Sequence, residues 1–505
     1  MANPSLQIGN SNWAIKEDNL LGYSTAGTRF VPQPITMTRA SAGTRVNSSG
    51  LVETVELLGG EEIVNGDFAT DSNWTKGTGW SISGGTANCI GGAGSLNLTQ
   101  VALEIGKTYT VTYTVSNYSA GTIHPIMGGW THGTYQSSNG TYTEVISNNH
   151  ASANTTFYMQ GKSGFVGSID NVSVKEYTAN NLARVDYDGT ASSLLVEPER
   201  INLITTSEDF DSYRVASSTV TPNSITAPDG TNSGILVTQG TNQLVLRANN
   251  VVAPSTTYTF SGYFKSSGSV TQVALDITDN GSTTFGLTSE WQRFSMTTES
   301  RGDGSPYHFV DVATNGIEGD TFYAWGLQLE EASYGTSYIP TDGSTVTRVQ
   351  DQYSKTGISN LINSEEGVLF AEIAALSDDL SYRILSLSNG TSNERIYMQY
   401  TNVSNTIAVV VKEGGDTQAN MSYVLSDETA FSKVAIKWKV NDFALWIDGV
   451  ERATDTLGNT PVGLNRLALD NGNSSTGGNK FFSKVKQLQV FKTSLSDTQL
   501  AALTS

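Results

Sequence analysis

Apolar and polar residues alternate with a period of two along much of the chain, and clusters of Gly, Asn, Ser, Thr and Asp separate the alternating runs. In residues 108–115, every odd position is Tyr or Val and every even position is Thr. Because a strand turns successive side chains to opposite faces, this run predicts a half-buried strand. Residues 434–440 alternate in the same way, and 443–447 follow a turn signal at 441–442, which predicts a hairpin. The pattern as a whole predicts an all-β protein.

One short helix is predicted, at the end of the chain. Ser496 is a suitable N-cap, and Gln499 lies at the third helical position, as in a capping box. Leu495 and Leu500 have the spacing of a hydrophobic staple across that cap.

The chain contains an internal repeat. Four stretches recur in the same order: 64–68 with 206–210, 106–111 with 255–260, 140–145 with 290–295, and 168–174 with 323–329. Such collinear matches indicate two copies of one supersecondary plan. They predict two related β-sandwiches, near 60–178 and 201–334, followed by a third sandwich of different pattern.

The predicted architecture is therefore several β-sandwich (jelly-roll) domains in tandem behind an extended N-terminal arm. The arm has too few apolar residues to form a core of its own and is expected to dock on a partner. The expected boundaries are an arm at 1–58, an inserted sandwich at 59–178, a linker at 179–200, a second sandwich at 201–334, a linker at 335–363, and a third sandwich at 364–505.

The charge of the chain limits its partners, and its cysteine content limits its covalent cross-links. The 505 residues carry 29 basic and 48 acidic side chains, a net charge of −19 that disfavours binding to a phosphate backbone. We therefore expect no nucleic-acid partner. A single cysteine, Cys89, excludes an intrachain disulfide. The chain begins without the features of a signal peptide and has no run of 18 apolar residues, so no membrane insertion is expected.

Four sequence motifs resemble a known family. Leu-Leu-Val-Glu-Pro-Glu-Arg-Ile-Asn-Leu at 194–203 and Ser-Tyr-Ile-Pro-Thr at 337–341, with Ser-Thr-Val-Thr-Arg at 344–348, are similar to motifs of tailed-bacteriophage virion proteins, mostly fibres and related surface proteins. So are residues 38–53, which in that family run almost directly into an Arg-Val-Asp-Tyr stretch, here 184–187. The intervening sandwich therefore resembles an insertion, and its ends near 58 and 180 are expected to be neighbours.

The resemblance implies a location and partners. It places the chain at the surface of a phage particle, in a tail or head fibre, with the arm contacting other virion proteins. It also implies a homo-oligomer, with a trimer as the expected state. The two repeated sandwiches resemble jelly-roll carbohydrate-binding modules, and the third resembles laminin-G or concanavalin-like lectin domains, which implies a host cell-surface glycan as ligand.

No catalytic motif stands out in the sequence. The four histidines lie outside any nucleophile elbow, metalloprotease helix or phosphate-binding loop. Glycosidases of the concanavalin-like fold carry alternating acidic residues on one strand, whereas Glu372 stands alone between Ala371 and Ile373. We therefore expect a protein that is not an enzyme.

The segment 124–135 is the strongest candidate for ligand binding. It is Gly-rich yet contains His124, Trp130, His132 and Tyr135, more aromatic residues than a plain turn needs. Exposed aromatic rings stack on sugar rings, while polar groups bind the hydroxyls. Two alternatives are that Trp130 packs inside the lip of the sandwich, and that His124 and His132 bind zinc, although further ligands are missing.

By analogy with the resembled modules, a structural calcium ion is a possible cofactor. Asn65, Asp67 and Asp170 would supply its side-chain oxygens. The alternative is that these residues form turns.

Two further segments have weaker signals. Residues 301–304 read Arg-Gly-Asp-Gly, an integrin-type tripeptide that an acidic turn also produces. The polar loop 470–479 is either a mobile solvated loop or a place for ligand or calcium, as in lectin-like domains.

The sequence thus favours a structural virion protein, a fibre or receptor-binding adhesin that displays glycan-binding β-sandwiches for host attachment. One alternative is a head fibre or capsid decoration protein. An alternative of another class is a depolymerase that hydrolyses surface polysaccharide.

Overall fold

The structure, a computed structural model, describes residues 3–9, 14–16, 19–23, 30–31, 35–215, 217–249, 252–277, 281–302 and 309–505. Asp303 and Gly304 of the Arg-Gly-Asp-Gly stretch and His308 lie outside the described residues. In the described part of the chain no helix is long and apolar enough to cross a membrane.

The described residues form strands almost throughout, as the alternating pattern predicts. Before residue 56 the strands are β1 (Leu6–Gly9), β2 (Ala14–Lys16), β3 (Asn19–Tyr23), β4 (Phe30–Val31), β5 (Thr36–Thr38), β6 (Thr44–Val46) and β7 (Val52–Thr54). Up to residue 179 they are β8 (Leu57–Glu61), β9 (Thr75–Lys76), β10 (Trp80–Ser83), β11 (Thr86–Ile90), β12 (Leu96–Val101), β13 (Thr108–Met127), β14 (Thr131–His132), β15 (Gly140–Ser147) and β16 (Thr156–Thr178).

The remaining elements follow in chain order. Up to residue 356 they are β17 (Arg184–Asp188), β18 (Ala191–Val196), β19 (Arg200–Asn202), a 3-10 turn (Asp211–Tyr213), β20 (Thr219–Ile225), β21 (Gly234–Thr238), β22 (Leu244–Asn249), β23 (Thr257–Ser266), β24 (Gln272–Ile277), β25 (Ser282–Gly286), β26 (Gln292–Glu299), β27 (Phe309–Thr314), β28 (Thr321–Glu330), β29 (Val346–Arg348) and β30 (Gln352–Thr356). After it they are β31 (Glu366–Ala375), β32 (Arg383–Ser388), β33 (Arg395–Tyr400), β34 (Thr406–Glu413), β35 (Asp416–Val424), β36 (Ser432–Lys439), β37 (Phe443–Ile447), β38 (Val450–Asp455), β39 (Arg466–Ala468), β40 (Ser483–Phe491) and the helix α1 (Asp497–Thr504).

The chain divides into two compact units. Unit 1 comprises Met1–Val55 and Asn180–Ser505, and unit 2 comprises Glu56–Ala179. In unit 2 the first and last strands are antiparallel neighbours, with Leu58 opposite Tyr177. The two ends of unit 2 therefore lie next to each other.

Unit 2 is a β-sandwich built around two long strands. β13 and β16 pair antiparallel along their length, with register shifts near Thr112, Ser116 and Ala120. Such irregularities bend a strand, which lets the two strands contribute to both layers. The alternating Tyr and Val residues of 108–115 are buried in the core, so the predicted half-buried strand is confirmed.

The second sandwich, in unit 1, repeats this topology. Its sheet has the order β20-β21-β28-β23-β26, and the corresponding strands of unit 2 pair in the order β10-β11-β16-β13-β15. Three of the four repeated stretches thus lie on equivalent strands. The fourth is an equivalent loop, in which Phe68 and Phe210 are buried. In that loop the Trp74 indole donates to the Asn65 carbonyl, and the Tyr213 hydroxyl accepts from the Thr206 amide.

The C-terminal sandwich consists of two larger sheets. One has the order β35-β34-β33-β32-β39-β30-β5 and the other the order β17-β18-β40-β31-β36-β37-β38, with β1 also paired to β40. The predicted hairpin is confirmed as β36 and β37. The predicted helix is confirmed as α1, capped by reciprocal bonds between Ser496 and Gln499, with Leu495 and Leu500 buried together.

The N-terminal segment and the two predicted linkers belong to these sheets. β1 adds to β40 and β5 adds to β30, so the described parts of the segment complete sheet edges of the C-terminal sandwich. From the first predicted linker, β17 and β18 extend the sheet that contains β40, and from the second, β30 lies in the sheet that contains β39. A segment with too few apolar residues for a core of its own thus obtains one by strand pairing.

Five charged side chains form a buried cluster in unit 1, which we term the ionic hub. Arg39 binds Asp351 (Nη1–Oδ1 2.8 Å), Arg184 binds both Asp351 and Glu197, and Arg348 binds Glu197 (Nη1–Oε2 2.9 Å). Every one of these side chains is at most 4% exposed. The hub joins the N-terminal segment, the stretch after residue 180 and the stretch after residue 335.

Hydrogen bonds complete the hub. The Ser337 amide and hydroxyl donate to the two carboxylate oxygens of Glu197. Burial alone would raise the pKa of Glu197, but the guanidinium charges of Arg348 and Arg184 and the bonds from Ser337 hold it well below its usual range. Glu197 therefore stabilises the folded chain as a carboxylate.

Glu428 is a second buried acid, but its pKa is raised, whereas that of Glu197 is lowered. Burial, together with the charges of Asp378, Asp379 and Asp427, raises its pKa to about 7, although Arg383 lies 4.0 Å away and opposes the shift. The folded state thus holds this proton more tightly than the unfolded chain, whose pKa is near 4.5. The free energy of unfolding should fall as the pH rises from about 4.5 to about 7.

Replacing Glu428 with Gln removes this titration. We expect Glu428→Gln to raise the free energy of unfolding at pH 8 by about 1–3 kcal/mol and to have little effect at pH 4.5. Urea unfolding at the two pH values measures the difference. The control is Glu365→Gln at an exposed position. An effect of Glu428→Gln that does not change between the two pH values would contradict the expectation.

Candidate functional site

The candidate ligand-binding loop in unit 2 begins where β13 ends in a tight corner. Gly128 and Gly129 have φ of +59° and +79°, a conformation that favours glycine. A Cβ on Gly128 would lie 2.2 Å from the Asn148 Oδ1 atom. Backbone bonds from Gly128 to Thr156 and from Asn154 to Gly128 hold the corner against the loop 148–155. The corner therefore has little freedom to move.

Trp130 follows this corner and is 53% exposed. Its ring stacks on the ring of His150, with centroids 4.6 Å apart and planes 8° from parallel. The His150 Nδ1 atom accepts a bond from the Ser152 amide, which orients the imidazole. The interpretation that Trp130 packs inside the sandwich does not fit this exposure. We term the stacked pair the Trp130 platform.

His124, His132 and Tyr135 form a second aromatic group on the same loop. The buried His124 shares a hydrogen between its Nε2 atom and the His132 Nδ1 atom, 2.9 Å apart. Tyr135, which is 47% exposed, stacks on His124 at 4.0 Å, and the Lys162 ammonium lies 5.7 Å from the Tyr135 ring centroid. The structure thus brings His132 and Tyr135 into contact with His124 and places Trp130 in a separate stack with His150.

The electrostatics of this group favour a neutral His124. Burial, followed by repulsion from His132 and Lys162, lowers the pKa of His124 to about 4. His124 is therefore uncharged at neutral pH, and one ring of the pair donates the hydrogen that the other accepts. No group of three or more His, Cys, Asp or Glu in the described part of the chain is arranged to hold a metal ion. The suggested zinc site at His124 and His132 therefore has no third ligand of these residue types among the described residues.

Glu144 positions the outer part of the loop. Its Oε2 atom accepts a bond from the Thr134 amide at 2.8 Å, and a Cβ on Gly133 would lie 2.7 Å from the carboxylate. The loop therefore packs directly on β15. Sequence reasoning missed Glu144, His150 and Lys162, because each reaches the loop from a separate stretch of chain and no local pattern links them.

The suggested calcium ligands take part in turns. The Asn65 side chain donates to the carbonyls of Thr70 and Ser72, at 2.7 and 2.9 Å. Asp67 accepts from the Ala69 amide, and Asp170 accepts from the Asn171 amide at 2.7 Å. These bonds match the turn-forming alternative. Calcium binding by Asn65, Asp67 and Asp170 stays a prediction.

Comparison with known proteins adds one family match. Residues 369–501 match the concanavalin A-like lectin/glucanases superfamily, laminin-G type. No curated protein matches the chain. The match confirms the predicted similarity of the C-terminal sandwich to laminin-G or concanavalin-like domains.

Solved structures resemble parts of the chain. The CBM40 of the Ruminococcus gnavus IT-sialidase, bound to α2,3-sialyllactose, is 20% identical and has a TM-score of 0.26, covering 28% of this chain and 84% of its own. The binding domain of botulinum neurotoxin serotype G is 11% identical, with a TM-score of 0.25 and coverages of 35% and 48%.

The tandem CBM22-1–CBM22-2 domain of Paenibacillus barcinonensis Xyn10C is 8% identical, with a TM-score of 0.21 and coverages of 54% and 98%. At these values the similarities do not extend to a shared site or ligand. The chain is an all-β protein of tandem β-sandwiches, and its C-terminal sandwich is similar to concanavalin A-like lectins and glucanases.

Proposed function

We propose that this chain is a non-catalytic carbohydrate-binding protein and that the Trp130 platform is its glycan contact in unit 2. The observation that carries the proposal is a large aromatic ring, more than half exposed, held on a rigid corner by a parallel imidazole. The exposed ring offers a flat apolar face, and covering such a face with a ligand is favourable. The C–H face of a sugar ring is the surface that an exposed indole recognises.

The surroundings of the platform supply the polar part of a sugar site. His132 and Tyr135 are exposed on the same loop, and their ring nitrogen and hydroxyl can bind sugar hydroxyls. Glu144 is the carboxylate in contact with this loop, and it is engaged by the Thr134 amide. Glycoside hydrolysis requires two carboxyl groups facing the bond, so this arrangement is better suited to binding than to cleavage.

The biological setting we propose is the surface of a phage particle, as a tail fibre or receptor-binding adhesin that attaches to a host glycan. The similarity of residues 194–203 and 337–348 to virion-protein motifs supports this setting. Several copies in a homo-oligomer would convert weak sugar contacts into firm attachment by avidity. Locating the chain in an electron-microscopy map of intact particles tests the setting and separates a tail fibre from a head fibre or decoration protein.

Substitution of Trp130 tests the glycan contact. The full chain is screened against an array of bacterial surface polysaccharides, and affinities for the bound glycans are measured by biolayer interferometry. We expect Trp130→Ala to weaken binding at least about tenfold, since loss of a stacked aromatic residue in a binding site costs about 1–3 kcal/mol. Trp130→Phe should retain much of the affinity, because it keeps an aromatic face.

The matched control is Ile90→Ala, which removes an apolar side chain, 80% exposed, from the same unit. This variant should bind like the wild type. If Trp130→Ala and Ile90→Ala bind every glycan of the array equally well, the Trp130 platform is not the contact.

A further inference from the structure

A separate groove lies within unit 1, between the C-terminal sandwich and the segments that lead into it. Its volume is about 760 Å³, within the range of small-ligand sites. One wall is the turn 379–383 together with Asn402, and a second wall is the loop 476–480. The segments that precede the sandwich contribute Pro198, Arg200 and Tyr334 to its lining. The groove is therefore formed jointly by the C-terminal sandwich and the segments that precede it in the sequence.

The first wall offers an oriented aromatic ring. Tyr382 is 43% exposed, and its hydroxyl donates to the Asn402 Oδ1 atom at 2.9 Å. This bond fixes the ring and leaves the Asn402 amide hydrogens for a ligand. Asn479, exposed on the second wall, makes no side-chain hydrogen bond with the described residues. The two walls thus present one aromatic face and two amide groups.

The turn that carries Tyr382 is held in an uncommon conformation. Leu380 has a φ of +59° and a side chain that is 53% exposed at the rim. A left-handed conformation costs a non-glycine residue about 1–3 kcal/mol and persists where the surroundings enforce it. Here the Asp379 carboxylate enforces it by accepting bonds from the Ser381 amide and the Arg383 guanidinium. The turn therefore displays Leu380 and Tyr382 together.

The charges of the groove include an available cation. Arg383 is paired with Asp379, and Lys480 lies 3.7 Å from Asp470. Arg200, in contrast, has no carboxylate within 4 Å among the described residues. Its Nη1 atom donates to the Glu199 carbonyl, and its guanidinium lies 5.4 Å from the Tyr334 ring centroid.

The Arg200 guanidinium lies over the Tyr334 ring, and its Nε and Nη2 atoms have no hydrogen-bond partner among the described residues. A planar guanidinium is the group that binds a carboxylate most specifically.

We propose that this groove binds a saccharide that carries a carboxylate, such as a uronic acid or a nonulosonic acid unit. Arg200 binds the carboxylate, Tyr382 stacks on the sugar ring, and the amides of Asn402 and Asn479 bind hydroxyls. Asp379 is the single carboxylate among the described residues that line the groove, and Arg383 engages it. The groove therefore binds its saccharide without hydrolysing it. This site lies in unit 1 and does not depend on the Trp130 platform.

Isothermal titration of the full chain with three probes tests the proposal. The probes are tetragalacturonate, an α-glycoside of N-acetylneuraminic acid, and the neutral galactotetraose. We expect at least one acidic probe to bind at least about tenfold more tightly than the neutral one, as a charge-assisted pair contributes about 1.5–3 kcal/mol. The two acidic arms separate a uronic acid from a nonulosonic acid.

Variants assign the binding to the groove. Arg200→Gln should abolish the preference for the acidic probe, Tyr382→Ala should weaken binding of that probe, and Trp130→Ala should leave it unchanged. Asn479→Ala, at an exposed loop position, is a second groove variant in case Arg200→Gln folds poorly. Equal affinity for acidic and neutral probes, no binding of either acidic probe, or loss on Trp130→Ala but not on the groove variants would overturn the proposal. Failure of the Trp130 platform alone leaves these readouts unaffected.

Discussion

Replacing Arg184 with methionine is expected to lower the free energy of unfolding of unit 1 by about 3–5 kcal/mol. Arg184 is fully buried and binds both Asp351 and Glu197. Its removal leaves two buried carboxylates short of a positive charge, and the desolvation of an unpaired charge is far more costly than the loss of an exposed ion pair. Hydrogen exchange read by mass spectrometry reports on peptides of unit 1 separately from those of unit 2.

The control for this substitution is Arg214→Met in the same unit. Arg214 pairs with Asp211 across a largely exposed contact, with side chains 38% and 70% exposed. Exposed pairs contribute about 0–1 kcal/mol, so the control should change little. Equal losses for Arg184→Met and Arg214→Met would show that the ionic hub does not hold unit 1 together.

The second large effect is expected for Gly128→Ala, which should lower the free energy of unfolding of unit 2 by about 2–5 kcal/mol. The substitution adds a Cβ to a residue at φ +59°, which costs about 1–2 kcal/mol, and drives that Cβ into Asn148, which adds about 1–3 kcal/mol of overpacking. The corner that carries Trp130 must move to relieve the clash. Glycan binding should fall together with stability.

Gly84→Ala is the matched control. Gly84 lies in unit 2 at φ +67°, and its added Cβ would meet no atom within 4 Å. Gly84→Ala should lower the free energy of unfolding by only about 1–2 kcal/mol, the cost of the left-handed backbone conformation for alanine, and should retain glycan binding. Hydrogen exchange of β13 and β16 and the array measurement give the two readouts. If the two variants behave alike, the packing of the corner is not what fixes Trp130.

Local patterns in the sequence predicted much of the fold. The half-buried strand at 108–115, the hairpin of β36 and β37, and the capped helix α1 each depend on neighbours within a few residues. The repeat was also visible, because equivalent strands of two related sandwiches need similar residues. The paired loops at Phe68 and Phe210 show that even an anchoring aromatic side chain recurs at the same place.

Contacts between distant residues could not be predicted. Arg39, Arg184, Glu197 and Arg348 lie in the motifs of the sequence analysis, but Asp351 lies outside them. The contact between Arg39 and Asp351 joins residues more than 300 positions apart. The pairing of β1 and β5 with strands of the same chain was not predicted, and docking of the N-terminal segment on a partner stays a prediction.

The same limit applies to the candidate site. His124, Trp130, His132 and Tyr135 were found because they lie within twelve residues of each other. His150 lies on the next loop, and its stacking on Trp130 is a tertiary contact. The groove at Arg200 and Tyr382 joins residues 182 positions apart in the sequence, for which composition and spacing give no signal.

Incubation of the purified full chain with bacterial surface polysaccharide compares binding with bond cleavage in one sample. Retention of polysaccharide on immobilised protein measures binding, and a reducing-end assay on the supernatant measures cleavage. We expect retention that depends on Trp130, with no reducing ends above those of the polysaccharide alone. Release of new reducing ends in proportion to protein concentration would show that the chain is a hydrolase.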